Sequence, residues 1–266
     1  MNKKIKPASS MPELLVVIPH SGLVIPEEIP LSSLSDLFPA LLSNVDWHTD
    51  CLYDFRDLLD NRQLVFPYCS LILEANRHPD RIEEAVPLQD VCGQAVYRRQ
   101  SQPSLELRRQ LAAKHLHSFH SAIENNILAG AEFMLDGHST VSARGMADHQ
   151  IELMNFQFSD FDEQALIFCP QELIEEYAAE LRKKLPEVLV TVNASTYHQV
   201  YGHICSAHSV NAPHRNGNRV PAIIQETNER LYLNPDRSPN VPALNRLRRA
   251  FALSLRTAWS RTCRGK

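Results

Sequence analysis

Four places in the sequence set metal-ligating or proton-moving side chains beside apolar runs. His20 follows LLVVIP (residues 14–19), His138 follows AEFMLDG (residues 131–137), and Glu226 closes AIIQ (residues 222–225). Asp46 and Asp50 stand near the start of a stretch with helical spacing. Two imidazoles and one carboxylate form a donor set for zinc that leaves the fourth tetrahedral position to water, and a second carboxylate nearby can serve as base. The chain holds 12 His and 31 Asp plus Glu, so any one of these residues alone is as well explained as a surface or capping side chain. Their coincidence with strand ends is the informative feature, because open parallel sheets bind ligands beyond the carboxyl ends of their strands.

The elements that would position these residues follow from hydrophobic period. Residues 14–18 (LLVVI) form a continuous apolar run ended by Pro19, the pattern of a strand buried on both faces. Residues 31–42 and 46–59 have helical spacing, with Leu52, Phe55 and Leu59 on one side. Residues 63–67 and 70–74 read as strands. Pro103 enters a long helix over 104–128, whose stripe is Leu105, Ala112, Leu116, Phe119, Ile123 and Ile127. Residues 131–135 make a strand running into Asp136-Gly137-His138-Ser139. A helix over 170–185, strands over 188–192 and 221–226, and a terminal helix over 241–260 complete the set. Strands alternating with helices predict an α/β fold: a mostly parallel, mixed central sheet with helices on both faces. Residues 1–10 read as a flexible tail and 11–266 as one domain, with a long polar loop at 197–219.

Composition narrows the partners. A hydrophobic content of 44% over 266 residues supports a full core, and a net charge of −4 gives no electrostatic reason to expect nucleic acid or an anionic membrane. No run of 18 apolar residues and no signal-peptide apolar region is present, and the six cysteines are scattered. They read as reduced thiols of a cytoplasmic protein, without a cysteine zinc site. No glycine-rich phosphate loop occurs. His48-Thr49-Asp50 spells an H-x-D that, with His138 or His208, could form the facial triad of a non-haem iron oxygenase. That triad usually sits on a jelly roll, whereas here it opens a helical stretch.

Several blocks resemble the N-formylglutamate amidohydrolase family. They are Val17-Ile-Pro-His20-Ser-Gly22, Asp46-Trp-His-Thr-Asp50-Cys-Leu-Tyr53, Ile72-Leu-Glu-Ala-Asn76-Arg77-His-Pro79, Leu135-Asp-Gly-His138-Ser139, and Ile224-Gln-Glu226 with Leu231-Tyr-Leu233. They occur in family order over residues 17–233. The resemblance implies a fold like that of the zinc carboxypeptidases and aspartoacylases. It also implies a Zn2+ cofactor held by His20, His138 and Asp46, with Asp50 the alternative to Asp46, and Glu226 as general base. Arg77, helped by Asn76, would clamp a substrate carboxylate; Arg144, shortly after His138-Ser139, could meet a second one, and His120, which falls where the family carries a Tyr-His pair, would bind substrate or support the residues that do. The expected substrate is a small carboxylate-bearing amide, an N-formyl or N-acyl amino acid. A metal-containing binding protein without turnover is the alternative. Departures from the family pattern are Glu74 in place of Asp, Tyr201-Gly202 in place of a Gly-Gly pair, and a divergent tract over 148–155.

Overall fold

Segment LLVVI becomes β1 (Leu14–Ile18), all five of its residues fully buried. A computed structural model describes residues 12–141, 146–158, 165–194, 202–210 and 219–262. The other strands are β2 (Asn61–Val65), β3 (Phe133–Thr140), β4 (Gln150–Met154), β5 (Phe156–Phe158), β6 (Ala165–Ile167), β7 (Leu189–Val192) and β8 (Ala222–Asn228). Six form one sheet in the order β2-β1-β3-β8-β4-β7, and β5 pairs with β6 separately. Strands β2, β1, β3 and β8 are mutually parallel; β4 runs antiparallel to β8 and carries β7 parallel to itself. The sheet is therefore mixed but mostly parallel.

The α-helices are α1 (Phe38–Leu41), α2 (Thr49–Leu52), α3 (Ile82–Ala85), α4 (Leu105–Leu111), α5 (His117–Leu128), α6 (Gln171–Lys184), α7 (His203–His208) and α8 (Val241–Thr262). Alternation along the strands sorts the core into two layers. Leu15, Val17, Met134, Ala222 and Ile224 pack with Leu116, Phe119, Ile123 and Ile127 of the α4–α5 helix. Leu14, Val16, Ile18, Phe133, Leu135 and Ile223 pack with Leu173, Tyr177 and Leu181 of α6 and with Leu247, Phe251 and Leu255 of α8. Both faces are covered, as the apolar β1 requires.

Three expected elements need correction. The helix expected over 46–59 shrinks to α2, because His48 takes a left-handed φ of 59° and Asp46 N is bonded to His20 O at 3.2 Å. Leu52, Phe55 and Leu59 are still buried, from a turn rather than a helix face. The stretch 31–42 breaks into a 3-10 turn (Leu31–Ser33) and α1, with Leu34 extended after the turn and Pro39 in the first turn of α1. Residues 70–74 form a turn, with Ile72 N and Leu73 N both donating to Cys69 O, not a strand. The helix over 104–128 holds, with a π-helical turn at Ala112–Leu116, although Leu105 is exposed. The tract 148–155 contains β4, and the long loop at 197–219 contains α7.

Candidate metal centre and active site

Each of the three candidate ligands is placed by its own local constraint. His20 follows β1, and the chain beyond it lies so close to Phe66–Pro67 that a Cβ at Gly22 would come 2.3 Å from the Pro67 carbonyl carbon. Only glycine permits that approach. Asp46 is tied to both neighbours: its N–H donates to His20 O at 3.2 Å, and its Oδ2 accepts from Ser139 N at 3.1 Å. His138 lies inside β3, which continues to Thr140 rather than ending before it. Tyr53 OH donates to His138 O at 2.8 Å and packs beneath Gly137, where a Cβ would meet the ring at 2.7 Å.

These constraints bring three donor atoms together. His20 Nδ1 and His138 Nδ1 are 3.2 Å apart, and each lies 3.5 Å from Asp46 Oδ2. Bonds of 2.0–2.1 Å to a tetrahedral zinc place neighbouring ligand atoms about 3.3 Å apart. The donor set and its spacing therefore fit zinc. Among the described residues, this is the group of His, Cys, Asp or Glu whose donor atoms all lie within 4.8 Å of one another. Asp50 is not part of it; its backbone carbonyl accepts from Gln63 Nε2 at 2.6 Å.

Each imidazole has a carboxylate behind it. His20 Nε2 donates to Glu74 Oε1 at 2.6 Å, and His138 Nε2 lies 3.0 Å from Asp136 Oδ1. At His20 the acceptor at Nε2 holds the proton there and turns Nδ1 toward the shared space, the arrangement found behind metal-bound histidines; at His138 the Asp136 carboxylate stands at ion-pair distance, with Oδ1 making no hydrogen bond. Sequence reasoning noticed Glu74 only as a departure and gave Asp136 no role. The available signal for Asp136 was its position two residues before His138 on a strand, which puts both on one face.

The electrostatics point the same way. Burial pushes the His20 pKa down, but Glu74 and Asp46 outweigh it and raise it to about 9. Burial also opposes charge on His138, and Asp136, Asp46 and Glu226 overcome it, holding the pKa well above the usual imidazole value. At Asp46, burial favours the neutral acid, yet the two imidazoles keep its pKa below the ordinary carboxylate range. Burial acts likewise on Glu74, where His20 and then Arg77 prevail and lower the pKa to about 2. Carboxylates from Asp46, Glu74, Asp136 and Glu226 surround two imidazoles, a charge balance that favours a bound cation.

Glu226 is the register partner of His138 across β3 and β8, so both side chains leave the same face of the sheet. Glu152 of β4 faces Glu226 in turn and is fully buried, accepting from Ala194 N at 2.7 Å and from Thr191. Arg230 pairs with Asp148 at 2.7 Å. Asn76 Nδ2 lies 3.4 Å from His138 Nε2, while its Oδ1 accepts Ile204 N at 3.0 Å. Arg77 is half-buried, with Nη1 donating to Asn76 O at 3.0 Å. His120 is buried: Nε2 lies 3.1 Å from Ala75 O and Nδ1 lies 3.1 Å from His208 Nε2. Since a carbonyl only accepts, Nε2 carries the proton and His208 donates to Nδ1. Both ring nitrogens of His120 thus bond within the protein. Arg144, His198 and His214 lie outside the described residues. A cleft on the Asp46 side is lined by Ser139, Thr140 and Glu229.

Comparison with known families matches the N-formylglutamate amidohydrolase family over residues 12–233. The chain belongs to that family. Among solved structures, this amidohydrolase is similar to an N-formylglutamate amidohydrolase from Ralstonia eutropha JMP134, with a TM-score of 0.68 and 19% identity over 95% of this chain and 94% of the other. A gene product from Agrobacterium tumefaciens is also similar, with a TM-score of 0.58 and 16% identity over 93% and 92%. At these identities the likeness shows the fold. Comparison with curated protein sequences gives no match. The alternating α/β architecture read from the sequence is the one these relatives share.

Proposed function

We propose that this amidohydrolase is a zinc-dependent enzyme that cleaves an N-formyl or N-acyl amino acid to a carboxylate and a free amino acid. The observation that carries this reading is the set of three donor atoms 3.2–3.5 Å apart, with a carboxylate behind each imidazole. His20, Asp46 and His138 would hold the ion. Zinc bound there supplies Lewis acidity, which lowers the pKa of water toward about 7 and polarises an amide carbonyl.

The chain's own residues do the rest. Glu226 accepts the proton of the attacking water and delivers it to the leaving nitrogen, so that the amine departs neutral. Arg77 offers a planar guanidinium to the substrate carboxylate, with Arg144 for a second carboxylate. Asn76 and His120 act one layer back, holding the Ala75–Arg77 backbone and α7 in place through the bonds described above. The substrate is a small molecule. The described cysteines Cys51, Cys69, Cys92, Cys169 and Cys205 are all free, which suits a reducing compartment and supports a cytoplasmic setting. None of the described helices is long and apolar enough to cross a membrane.

The test is a panel of N-formyl and N-acetyl amino acids assayed with wild type and Glu226→Gln. Loss of the base is expected to cut turnover about 10²–10⁴-fold on the best substrate, with zinc still bound. A wild type as inert as the variant on every member, while zinc and carboxylate ligands bind, would rule the hydrolase reading out.

A further inference from the structure

Three contacts tie helix α7 to the surroundings of the metal centre. Ile204 N donates to Asn76 Oδ1 at 3.0 Å, His208 Nε2 meets His120 Nδ1 at 3.1 Å, and Cys205 Sγ lies 3.7 Å from Asp136 Oδ2. Two of those partners, Asp136 and Asn76, are the groups set against His138 Nε2, at 3.0 and 3.4 Å. Asp136 is 1% exposed and Cys205 fully buried, so no bulk water takes part in this arrangement.

Resting on the reading of His138 as a zinc ligand, we propose that Cys205 is a positioning residue for that ligand, acting through Asp136. Leaving a carboxylate this deeply buried without hydrogen bonds is costly, and a rotation about its terminal bond exchanges its two oxygens. The thiol engages Oδ2 and leaves Oδ1, which has no hydrogen-bond partner of its own, 3.0 Å from His138 Nε2. That fixes the imidazole plane and keeps Nδ1 turned toward Asp46 and His20. Burial, reinforced by the adjacent Asp136 charge, raises the thiol pKa well above its ordinary value, so the sulfur keeps the proton it donates. A thiol is also a weak donor, and it leaves most of the negative charge on Asp136 available to His138. The contact gives α7, which lies inside the stretch 197–219, a physical line to the metal ligand.

The alternative for a buried cysteine is plain apolar filling, and substitutions separate the two. Cys205→Val keeps apolar bulk without a donor, Cys205→Ser keeps a donor at similar size, and Cys205→Ala keeps neither. Zinc affinity is measured by competition with a chelator, and the cobalt-substituted proteins are compared by visible absorption. Positioning predicts about 5–30-fold weaker zinc binding for Ala and Val alike, a changed cobalt spectrum in both, and recovery to within about threefold in Ser. Affinity that is retained in Val and lost in Ser, or unchanged in Ala, overturns the inference while leaving the zinc site standing. A wild type that binds no zinc overturns the zinc reading and this inference together.

A second measurement needs only the wild-type protein. Zinc should slow thiol labelling of Cys205 by about fivefold or more relative to Cys169, which is equally buried but packs in the layer on the opposite side of the sheet. Equal protection of the two thiols overturns the inference.

Discussion

The imidazole of His20 illustrates how much of this site is decided by single atoms. Its two nitrogens face different tasks: Nε2 is held by Glu74 at 2.6 Å, and Nδ1 points at Asp46 and His138. Substituting Glu74→Gln keeps the shape and removes the charge that fixes the tautomer. The variant is expected to bind zinc about 10–100-fold more weakly, read by chelator competition, with little change in the unloaded fold. Unchanged affinity would mean that Glu74 is only a neighbour. At this scale the sequence was informative where chemistry-bearing residues interrupt or close apolar runs, as His20, His138 and Glu226 do. It favoured Asp46 but kept Asp50 as the alternative, because both carboxylates open the same block. The Ser139 N–H on Asp46 and the left-handed turn at His48, both tertiary facts, bring Asp46 rather than Asp50 beside the two imidazoles. The placement of Glu74 behind His20 was hidden for the same reason, whereas Asp136 had its position two residues before His138 on a strand as a signal.

Among the elements, β3 carries the most. Its eight residues are all buried, and alternation puts Asp136 and His138 on one face while Gly137 faces Tyr53 on the other. Gly137→Ala would drive a Cβ to 2.7 Å from the Tyr53 ring and 2.9 Å from Ile18 Cδ1. The expected cost is about 1–3 kcal/mol in urea unfolding, with weaker zinc binding because Tyr53 also fixes the His138 carbonyl. A stable variant with normal zinc affinity would show that this packing does not hold the ligand in place. Elements with a clean pattern were legible: the continuous apolar run of β1 and the helical periods of α6, α8 and the helix over 104–128. Those decided by their surroundings were not. Strand β4 (QIELM) carries Gln150 and Glu152 into the interior, where Thr191 and the Ala194 N–H satisfy them, so its polarity masks a central strand. The stretch 46–59 buries its apolar residues in the expected order but is stopped from forming a helix by the bonds that place Asp46.

For the whole molecule, the charge concentrated toward the carboxyl ends of the central strands ties stability to pH and to metal. His20 has its pKa raised from 6.5 to about 9, so the metal-free fold gains from protonation. That contribution is complete below pH 6.5 and disappears as pH rises through 9. Glu74, lowered from 4.5 to about 2, stabilises above pH 4.5 and ceases to do so as pH falls through 2. Metal-free protein should therefore lose melting temperature between pH 6.5 and 9. Zinc requires neutral imidazoles, so the stabilisation it adds should grow over the same interval. Melting curves with and without zinc that stay parallel across that window would contradict this linkage. The central claim is simpler and can be tested directly: one divalent ion sits between His20, Asp46 and His138. Zinc titration of wild type, Asp46→Ala and Asp50→Ala measures it. One zinc per chain in wild type and in Asp50→Ala, with affinity at least about 100-fold weaker in Asp46→Ala, is the predicted result. Wild-type affinity in Asp46→Ala, or its loss in Asp50→Ala, would contradict the account.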